Sequence, residues 1–583
     1  MQQIRCDVLV IGASLGGVAG AISAAKSGQS VVLLEEGDWV GGQLTYQGVC
    51  TPDENEWIEE TGGTGSYLAL RRTIRDHYLN RDNVRLSKSG YDQKYLNLGN
   101  CWVSRLGGEP RVIHNLMMEM LKDLPNISVY LNSKVVEADQ RITEISRIHA
   151  ITDSGEDLQI FPRIILEATE TGDFLPLAGI EHRLGAESRQ ETGEPDAPDQ
   201  ARTDWIQPFT VPFALEKRPF GEIHTITPPD DYEELKALQK YHILDGAMRG
   251  MFGDLGWWSY RRVIDADNFD DERYSCDVAM INTASNDFKG DTIPTGSTQI
   301  DAEIVARARR ASLGYVYWLQ TECPRLDRPG EFGYPEFKLR TDYFDSPNGL
   351  APKPYIRESR RIKAKVTIYE QEVVRNDSSG TKHQTGSRAM PRTDTCGIGH
   401  YWLDIHDGGT DEPCRFFETA PFQIPVGSLV PVRVKNVLAA CKNLGVTHLT
   451  NGCFRLHPIE WNIGESAGML ASFCIQNNVY PAEVPDSDQL LRRFQIQLVE
   501  NSVPLVWYSD IECSHPAWQA AQILGGFGIW PLGESLAFNA ENVPDISLME
   551  QMTERFLEIA GRKFDSRGEL ALACLAQLKI EMV

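Results

Sequence analysis

In the first forty residues, apolar runs alternate with a stretch of small residues in the order typical of a β-α-β unit. Residues 8–11 form a continuous apolar run with the length of a buried parallel strand. A glycine-rich turn follows, and the small residues at 18–25 predict a helix. A second apolar run at 30–34 ends on an acid, Glu35. The order predicts two parallel strands joined by a helix that begins in a tight turn.

Beyond this unit, helical and strand-like patterns continue to alternate. Apolar spacing predicts helices at 65–78, 111–124, 301–320 and 461–476, and apolar runs predict strands at 127–132, 145–152, 158–161 and 164–166. The apolar pattern at 422–440 again predicts strands, and the pattern from 486 onward predicts mainly helices. Polar stretches rich in Gly, Ser, Pro or Asp predict loops at 185–204 and 376–393.

The turn after the first strand reads Gly12-x-Ser14-x-x-Gly17, which is G-x-G-x-x-G with serine at the second position. The first glycine permits the tight turn, a small second residue lets a pyrophosphate approach, and the third lets helix and strand pack closely. A carboxylate at Glu35 can accept hydrogen bonds from ribose hydroxyls. The pattern predicts an ADP-binding site and leaves NAD or FAD open. The alternative, a tight turn with no ligand, does not explain an acid that ends an apolar strand.

Several motifs resemble a family of bacterial FAD-dependent oxidoreductases with the glutathione-reductase-type two-dinucleotide-binding fold. Gly-Gly-Gln-Leu-Thr at 41–45 resembles the Gly-Gly loop of that fold, and Glu-Ala-Thr-Glu-Thr-Gly-Asp at 167–173 resembles its second dinucleotide segment. Further similar stretches lie at 99–105, 109–111, 188–195, 355–361, 397–401 (with Asp404 and His406) and 421–425, so the resemblance covers residues 5–480. It implies FAD as the cofactor, while the substrates of the family are poorly defined.

The resemblance also implies which residues hold the cofactor. Val135 matches the position whose backbone pairs with adenine, and the stretch around Gly464 resembles a late flavin motif that opens the helix at 461–476. The positive end of that helix would face the N1–C2=O edge of the isoalloxazine and stabilise reduced flavin. The cofactor-binding candidates are Gly12, Ser14, Gly17, Glu35, Glu36, Gly41, Gly42, Gln43, Arg105, Val135, Ala168, Thr169, Gly172, Asn462 and Gly464. Cys50 is a candidate covalent flavin tether.

The expected fold class is therefore α/β: a Rossmann-like FAD-binding domain with a parallel sheet, an inserted α+β substrate domain and a helical C-terminal tail. The expected boundaries are 1–204 and 396–482 for the two parts of the FAD-binding domain, 205–395 for the substrate or cap domain, and 483–583 for the tail.

Composition narrows the function further. The formal net charge of −25 argues against a nucleic-acid partner, because the surface repels phosphate. No apolar run reaches membrane-spanning length, and the first residues lead straight into a strand without a leader, so we expect a cytoplasmic protein. The twelve cysteines include no C-x-x-C pair, and there is no second G-x-G-x-x-G with its own strand and acid. Both absences argue against a disulfide reductase with an NAD(P)H domain.

Two segments supply candidate catalytic residues by their spacing. If 451–460 is extended, Arg455 and His457 alternate on one side, close to the flavin ring; otherwise Arg455 pairs with a carboxylate and His457 caps a chain end. If 399–407 is a strand, His400, Asp404 and His406 share one face with Trp402. That face could be a base with its orienting group, a metal site or a polar solvent face, and we expect no metal.

A basic stretch adds a further candidate. On a helix, Arg357 and Arg361 lie four residues apart and share a face. They could hold a substrate carboxylate or the FAD pyrophosphate, or pair with nearby acids.

These residues predict an enzyme that moves hydride between a C–OH or C–N centre of a small polar substrate and flavin N5. The electron acceptor, oxygen or an external carrier, is left open. An ene-reductase working in the opposite direction is one alternative. A flavin-holding scaffold without catalysis, in which the tail is the working part, is another.

Overall fold

The computed structural model describes residues 2–581, and side chains as far as residue 578. The strands are β1 (Gln2–Ile11), β2 (Val31–Leu34), β3 (Ile127–Tyr130), β4 (Ser133–Arg141), β5 (Glu144–Thr152), β6 (Asp157–Glu167), β7 (His182–Arg183), β8 (Phe213–Lys217), β9 (Arg262–Ile264), β10 (Val278–Ile281), β11 (Phe337–Leu339), β12 (Arg361–Ile362), β13 (Thr395–Gly399), β14 (Leu403–Ile405), β15 (Arg415–Phe417), β16 (Phe422–Pro425) and β17 (Val437–Ala439). The helices are α1 (Leu15–Lys26), α2 (Gly65–Leu79), α3 (Lys88–Tyr91), α4 (Pro110–Lys122), α5 (Phe174–Leu177), α6 (Arg189–Thr192), α7 (Tyr232–Gln239), α8 (Trp257–Tyr260), α9 (Thr298–Thr321), α10 (Glu370–Val373), α11 (His448–Phe454), α12 (His457–Asn477), α13 (Asp488–Glu500), α14 (Trp518–Gly526), α15 (Ile546–Arg555) and α16 (Arg567–Glu581).

A seven-stranded sheet forms the centre of the molecule, in the order β3-β2-β1-β6-β5-β4, with β17 also paired to β6. Strands β3, β2, β1, β6 and β17 are parallel, whereas β4, β5 and the first half of β6 form an antiparallel meander. The two short strands expected at 158–161 and 164–166 are one strand, β6. The apolar run at 8–11 is the fully buried end of β1, which explains its lack of alternation. The Rossmann-like α/β class is confirmed.

Helices α1 and α12 pack against each other through glycines. A Cβ at Gly464 would lie 1.9 Å from the carbonyl oxygen of Gly16, and a Cβ at Gly468 would lie 2.3 Å from that of Gly20. Helix α12 begins at His457, so the expectation that Gly464 opens this helix is wrong. Gly464 lies about two turns inside it, at the closest approach of the two helices.

A second sheet, in the order β11-β8-β10-β9, lies between residues 213 and 339 and has its own apolar cluster with α9. Trp257 and Trp258 are buried in this cluster, where Trp258 stacks on Phe337 with 4.7 Å between ring centroids. The two tryptophans are therefore core residues of the inserted region.

The C-terminal helices continue the core of the central sheet. Trp518 and Leu570 belong to the same apolar cluster as β1 and α12. The side chain of Gln495 on α13 donates to the carbonyls of Thr393 and Thr395 at 2.8 and 2.9 Å. In the described part of the chain, no helix combines the length and the apolarity needed to cross a lipid bilayer.

Three local expectations about the catalytic segments are wrong. The stretch 451–460 is the end of α11 and the start of α12 rather than a strand. Residues 357–360 have no regular secondary structure and lead into the two-residue strand β12, so Arg357 and Arg361 share no helix face. The stretch 399–407 contains only the three-residue strand β14 after β13 ends at Gly399. In each case ion pairs to distant segments, described below, replace the local pattern.

Candidate functional site

Two glycines of the first turn are required by close backbone contacts. Gly12 has φ +95°, and a Cβ there would lie 2.3 Å from the carbonyl oxygen of Ala168. A Cβ at Gly17 would lie 2.1 Å from the carbonyl oxygen of Gly12. Ser14 caps α1, because its hydroxyl accepts a hydrogen bond from the Gly17 N–H at 3.1 Å. The turn therefore brings the end of β1, the end of β6 and the start of α1 together.

The N-terminus of α1 forms an anion-binding cradle with the Gly-Gly loop. Gly41 and Gly42 both have positive φ values, 103° and 52°, and the Gly41 N–H donates to the Ala13 carbonyl at 2.8 Å. Among the residues that the structure describes, the amides of Ser14 and Leu15 have no acceptor. Free amides and the positive helix dipole suit a pyrophosphate, so this donor set fits FAD.

Glu35 organises the same corner. Its buried carboxylate accepts hydrogen bonds from the backbone N–H groups of Ala13 and Gly37, both at 2.8 Å. Burial raises the pKa of Glu35, and these two donors act in the opposite direction. An acid at this position thus contacts the glycine-rich turn directly and lies where the ribose is expected.

A buried charged cluster lies beside the cradle, and Gln43 is its only member among the cofactor-binding candidates. Lys442, which follows β17 and is fully buried, pairs with Glu170 and lies 3.5 Å from Glu460. Glu460 accepts from the Gln43 side chain at 2.5 Å and from the Gly16 N–H at 3.1 Å. Buried oxygens of Glu170 and Gln43 have no hydrogen-bond partner among the described residues. The available signal was the place of Glu170 in the stretch 167–173, which resembles the second dinucleotide segment of the family.

Lys442 supplies the positive charge of this cluster. Ligand atoms of Glu170, Cys441 and Glu460 lie within 4.8 Å of one another, a grouping that could hold a metal ion. The ammonium of Lys442 already contacts both carboxylates, and they raise its pKa well above the usual value in spite of burial. The ammonium group of Lys442 therefore lies between the two carboxylates of this cluster.

The other cofactor candidates are spread around this centre. Ala168 and Thr169 follow the end of β6 and lie next to Gly12. Val135 lies on β4 opposite Ala150, and exposed Glu36 pairs with Lys134 at 2.7 Å. Gly172 approaches the backbone of the arginine-rich stretch.

Two further candidates have structural contacts instead. The Asn462 side-chain oxygen accepts from the Ile398 N–H at 3.0 Å, which ties α12 to β13. Arg105 is exposed and donates to the Glu56 carbonyl at 3.2 Å, with no bond to the glycine-rich turn. Cys50 is buried, and burial raises the pKa of its thiol.

Three of the catalytic candidates meet in one continuous chain of bonds, which we call the arginine–histidine chain. Arg455 donates to Tyr355 Oη at 2.9 Å and to Asp404 at 3.2 Å, and Asp404 also accepts from His406 Nε2 at 2.8 Å. His406 Nδ1 donates to Asp287 at 2.7 Å, and Asp287 pairs with Arg357 at 2.8 Å. Asp287 and Tyr355 were not among the candidates, although Tyr355 begins the stretch 355–361 that resembles the family; nothing in the local sequence marks Asp287.

The charges of this chain stabilise one another. Burial alone would raise the pKa of Asp404, but His406 and Arg455 lower it to about 2. Burial and Arg357 act to lower the pKa of His406, but Asp404 and Asp287 raise it above its usual value. The two carboxylates therefore favour the protonated form of the histidine between them.

The remaining two histidine candidates lie outside the arginine–histidine chain. His457 is buried at the start of α12, accepts from the Asp53 N–H at 3.1 Å, and has its pKa lowered to about 4 by burial. His400 packs on Trp57 with 5.4 Å between ring centroids, and burial lowers its pKa to about 4. Both are neutral at pH 7. The shared face of His400 with His406 is not observed, because His400 bonds towards Thr419 instead.

Glu167, at the end of β6, makes stability depend on pH. Burial raises its pKa to about 8, against the opposing hydrogen bonds from Thr169. The folded state favours the protonated form of Glu167. We therefore expect the contribution of Glu167 to the free energy of unfolding to fall as pH rises from 4.5 to about 8, by about 1.4 kcal/mol per pH unit. Thermal unfolding from pH 5 to 8 should show a flatter profile for Glu167→Gln than for the native protein. The exposed control Glu156→Gln should keep the native slope, and an equal slope in Glu167→Gln would contradict this reading.

Comparison with known proteins gives one family. The sequence profile of the family described as FAD dependent oxidoreductase matches residues 7–498. No curated protein matches the chain.

Solved structures show similarities at low identity. L-proline dehydrogenase from P. horikoshii is 14% identical over 29% of this chain and 23% of its own, with a TM-score of 0.16. p-Nitrophenol 4-monooxygenase PnpA from Pseudomonas putida DLL-E4 is 14% identical over 62% of this chain and 70% of its own, with a TM-score of 0.28. A geranylgeranyl bacteriochlorophyll reductase-like protein from Thermoplasma acidophilum is 10% identical over 100% of this chain and 98% of its own, with a TM-score of 0.31.

Proposed function

The chain belongs to the FAD dependent oxidoreductase family and uses FAD as its cofactor, and we propose that it transfers hydride between a small polar substrate and flavin N5. The substrate atom would be the carbon of a C–OH or C–N centre. The observation that carries this proposal is the arginine–histidine chain, which gathers buried charged groups from segments far apart in sequence. Such groups orient a substrate and handle its O–H or N–H proton.

The residues around the glycine-rich turn would hold the cofactor. We assign the pyrophosphate to the start of α1 and the Gly-Gly loop, and the ribose to Glu35. Gln43 links that loop to residues 455–460, because its side-chain amide donates to the Arg455 carbonyl at 3.1 Å and to the Glu460 carboxylate. When bound, FAD supplies the two-electron acceptor at N5. We also propose the domain division given above, with the substrate region inserted at 205–395.

Within the arginine–histidine chain, the roles follow from charge and exposure. The side chains of His406 and Asp404 are 19% and 21% exposed, whereas those of Arg455 and Arg357 are 3% exposed. The histidine can therefore exchange a proton with solvent, and the arginines can hold substrate in a fixed position. His457, neutral and next to the Gln43 loop, is the second candidate for proton transfer.

One experiment tests cofactor and reaction together. The purified protein should show visible flavin absorbance that stays in the supernatant after acid precipitation, which would mean noncovalent FAD. Under anaerobic conditions, an alcohol or amine of a small-molecule panel should bleach that absorbance, and oxygen or an artificial acceptor should restore it. Bleaching by no alcohol or amine, with reoxidation of chemically reduced enzyme by an activated alkene, would favour the ene-reductase. Colourless protein that cannot be loaded with FAD would overturn the proposed site.

The role of the first turn has a matched control in the chain. Gly12 and Gly28 have similar positive φ values, 95° and 89°, but only a Cβ at Gly12 meets other atoms within 4 Å. In Gly12→Ala, the added Cβ should push the Ala168 segment away from the turn, and the protein should therefore no longer retain FAD. Gly28→Ala should retain FAD and pay only the backbone strain, about 1 kcal/mol. The flavin content per protein, measured after gel filtration, separates the two, and equal retention would contradict the assignment.

A further inference from the structure

We infer that the substrate of the proposed reaction carries a carboxylate group, which Arg455 and Arg357 bind. The inference rests on the proposed function and names the substrate class for its site. It comes from the charges and unpaired donors of the arginine–histidine chain.

The chain contains more positive than negative charge. Arg455, His406 and Arg357 alternate with only two carboxylates, Asp404 and Asp287. Both ring nitrogens of His406 lie within 2.8 Å of carboxylate oxygens, so both must donate and the ring is an imidazolium. One positive charge is therefore left without a counter-charge in this set.

Neighbouring ionised groups do not supply the missing charge. Asp53, which lies near Arg455, is paired with the buried Arg261 at 2.8 Å. Asp407, on the other side near Asp287, is paired with Lys289 at 2.9 Å. Each of these pairs is neutral overall. A net positive charge that is largely buried is costly, and an anion would remove that cost.

Both arginines also have an unused hydrogen-bond donor. The Nε–H groups of Arg455 and Arg357 are buried and have no partner in the described part of the chain. Tyr355 contacts both guanidinium groups, since its hydroxyl accepts from Arg455 and its ring lies 4.9 Å from Arg357 Cζ. Two unpaired donors on arginines that contact the same tyrosine suit a ligand with two acceptor oxygens.

The size of the charge excess distinguishes between anions. A single unit of positive charge is neutralised by a monoanionic carboxylate, whereas a phosphate dianion would leave a new negative charge in the same place. The partly exposed His406 and Asp404 give the site a route to solvent, which a ligand needs. We therefore assign a monocarboxylate as the group recognised.

The test uses the FAD-loaded protein and two probes of similar shape. Benzoate and its neutral analogue benzamide are titrated at constant ionic strength, and inorganic phosphate is titrated separately. We expect benzoate, and neither of the others, to perturb the flavin absorbance and intrinsic fluorescence with saturation. Arg455→Met and Arg357→Met should each weaken benzoate binding by about tenfold or more. Arg455→Lys, which keeps the charge, should recover part of the loss.

Arg147→Met is the matched control, because Arg147 lies on β5 and pairs with Asp139 away from the site. It should bind benzoate like the native protein. Equal binding of benzamide, tighter binding of phosphate, or no loss in either arginine variant would overturn the inference. If the Met variants do not fold, the comparison of benzoate with benzamide in the native protein decides it alone.

Failure of the inference and failure of the proposed function give different results. Charge-dependent benzoate binding without bleaching by any alcohol or amine would retain the carboxylate site and reject hydride transfer. Bleaching by an uncharged alcohol, together with no carboxylate binding, would retain hydride transfer and reject the carboxylate site.

Discussion

Gly464→Val is expected to lower the free energy of unfolding by about 3 kcal/mol and to abolish FAD binding. A Cβ at this position would lie 1.9 Å from the Gly16 carbonyl oxygen, and backbone cannot move aside as a flexible side chain can. The added side chain must push α12 away from α1. Both helices begin at the cofactor cradle, so their separation also displaces the amides of Ser14 and Leu15.

Denaturant unfolding and flavin content measure the two effects. Gly533→Val is the control, because a Cβ there has nothing within 4 Å and its backbone has no positive φ. That variant should unfold like the native protein and retain FAD. If Gly464→Val kept native stability, the close packing of α1 on α12 would be refuted. Loss of stability with FAD retained would limit Gly464 to a packing role.

Lys442→Met is expected to lower the free energy of unfolding by about 3–5 kcal/mol, because it removes the cation from between two buried acids. Glu170 and Glu460 would then face each other without compensation, and one of them would take up a proton. Unfolding of the variant should accordingly become less unfavourable with rising pH. FAD affinity should fall as well, since Glu460 also accepts the Gly16 N–H at the start of α1.

A double variant separates charge from packing. Lys442→Met combined with Glu170→Gln leaves one carboxylate fewer and should recover a substantial part of the lost stability. The control Lys365→Met breaks a partly exposed pair with Asp486 and should cost less than about 1 kcal/mol. A single variant at Lys442 as stable as this control would show that the buried cluster does not depend on its lysine.

Local sequence predicted the elements whose contacts are themselves local. Helices at 65–78, 111–124 and 301–320 were correctly placed to within three residues at each end, since apolar spacing reports the buried face directly. The glycine-rich turn could be predicted because neighbouring backbone leaves no room for a Cβ at Gly12 or Gly17. Glu35 could also be found, as it ends the neighbouring strand.

The arginine–histidine chain could be predicted only in part. Arg357, Arg455 and His406 were chosen for residue type, but the local geometries given for them were wrong. Asp287, the carboxylate that joins Arg357 to His406, comes from another part of the chain and has no local signature. Tyr355 lies next to Arg357 in sequence, but its contact with Arg455 is long-range. The strand considered for 399–407 and the helix considered for 357–361 do not form, and the side chains of these segments make long-range ion pairs instead.

By itself, the sequence determined the α/β class through its periodicity and the glycine-rich turn through the spacing of its glycines. The choice of FAD over NAD came from the resemblance of its motifs to a known oxidoreductase family. Only the tertiary structure decided that Gly464 packs helices, that Lys442 lies between two acids, and that two arginines share Tyr355. Such pairings depend on which charges are buried together, and burial is a property of the folded chain rather than of any segment.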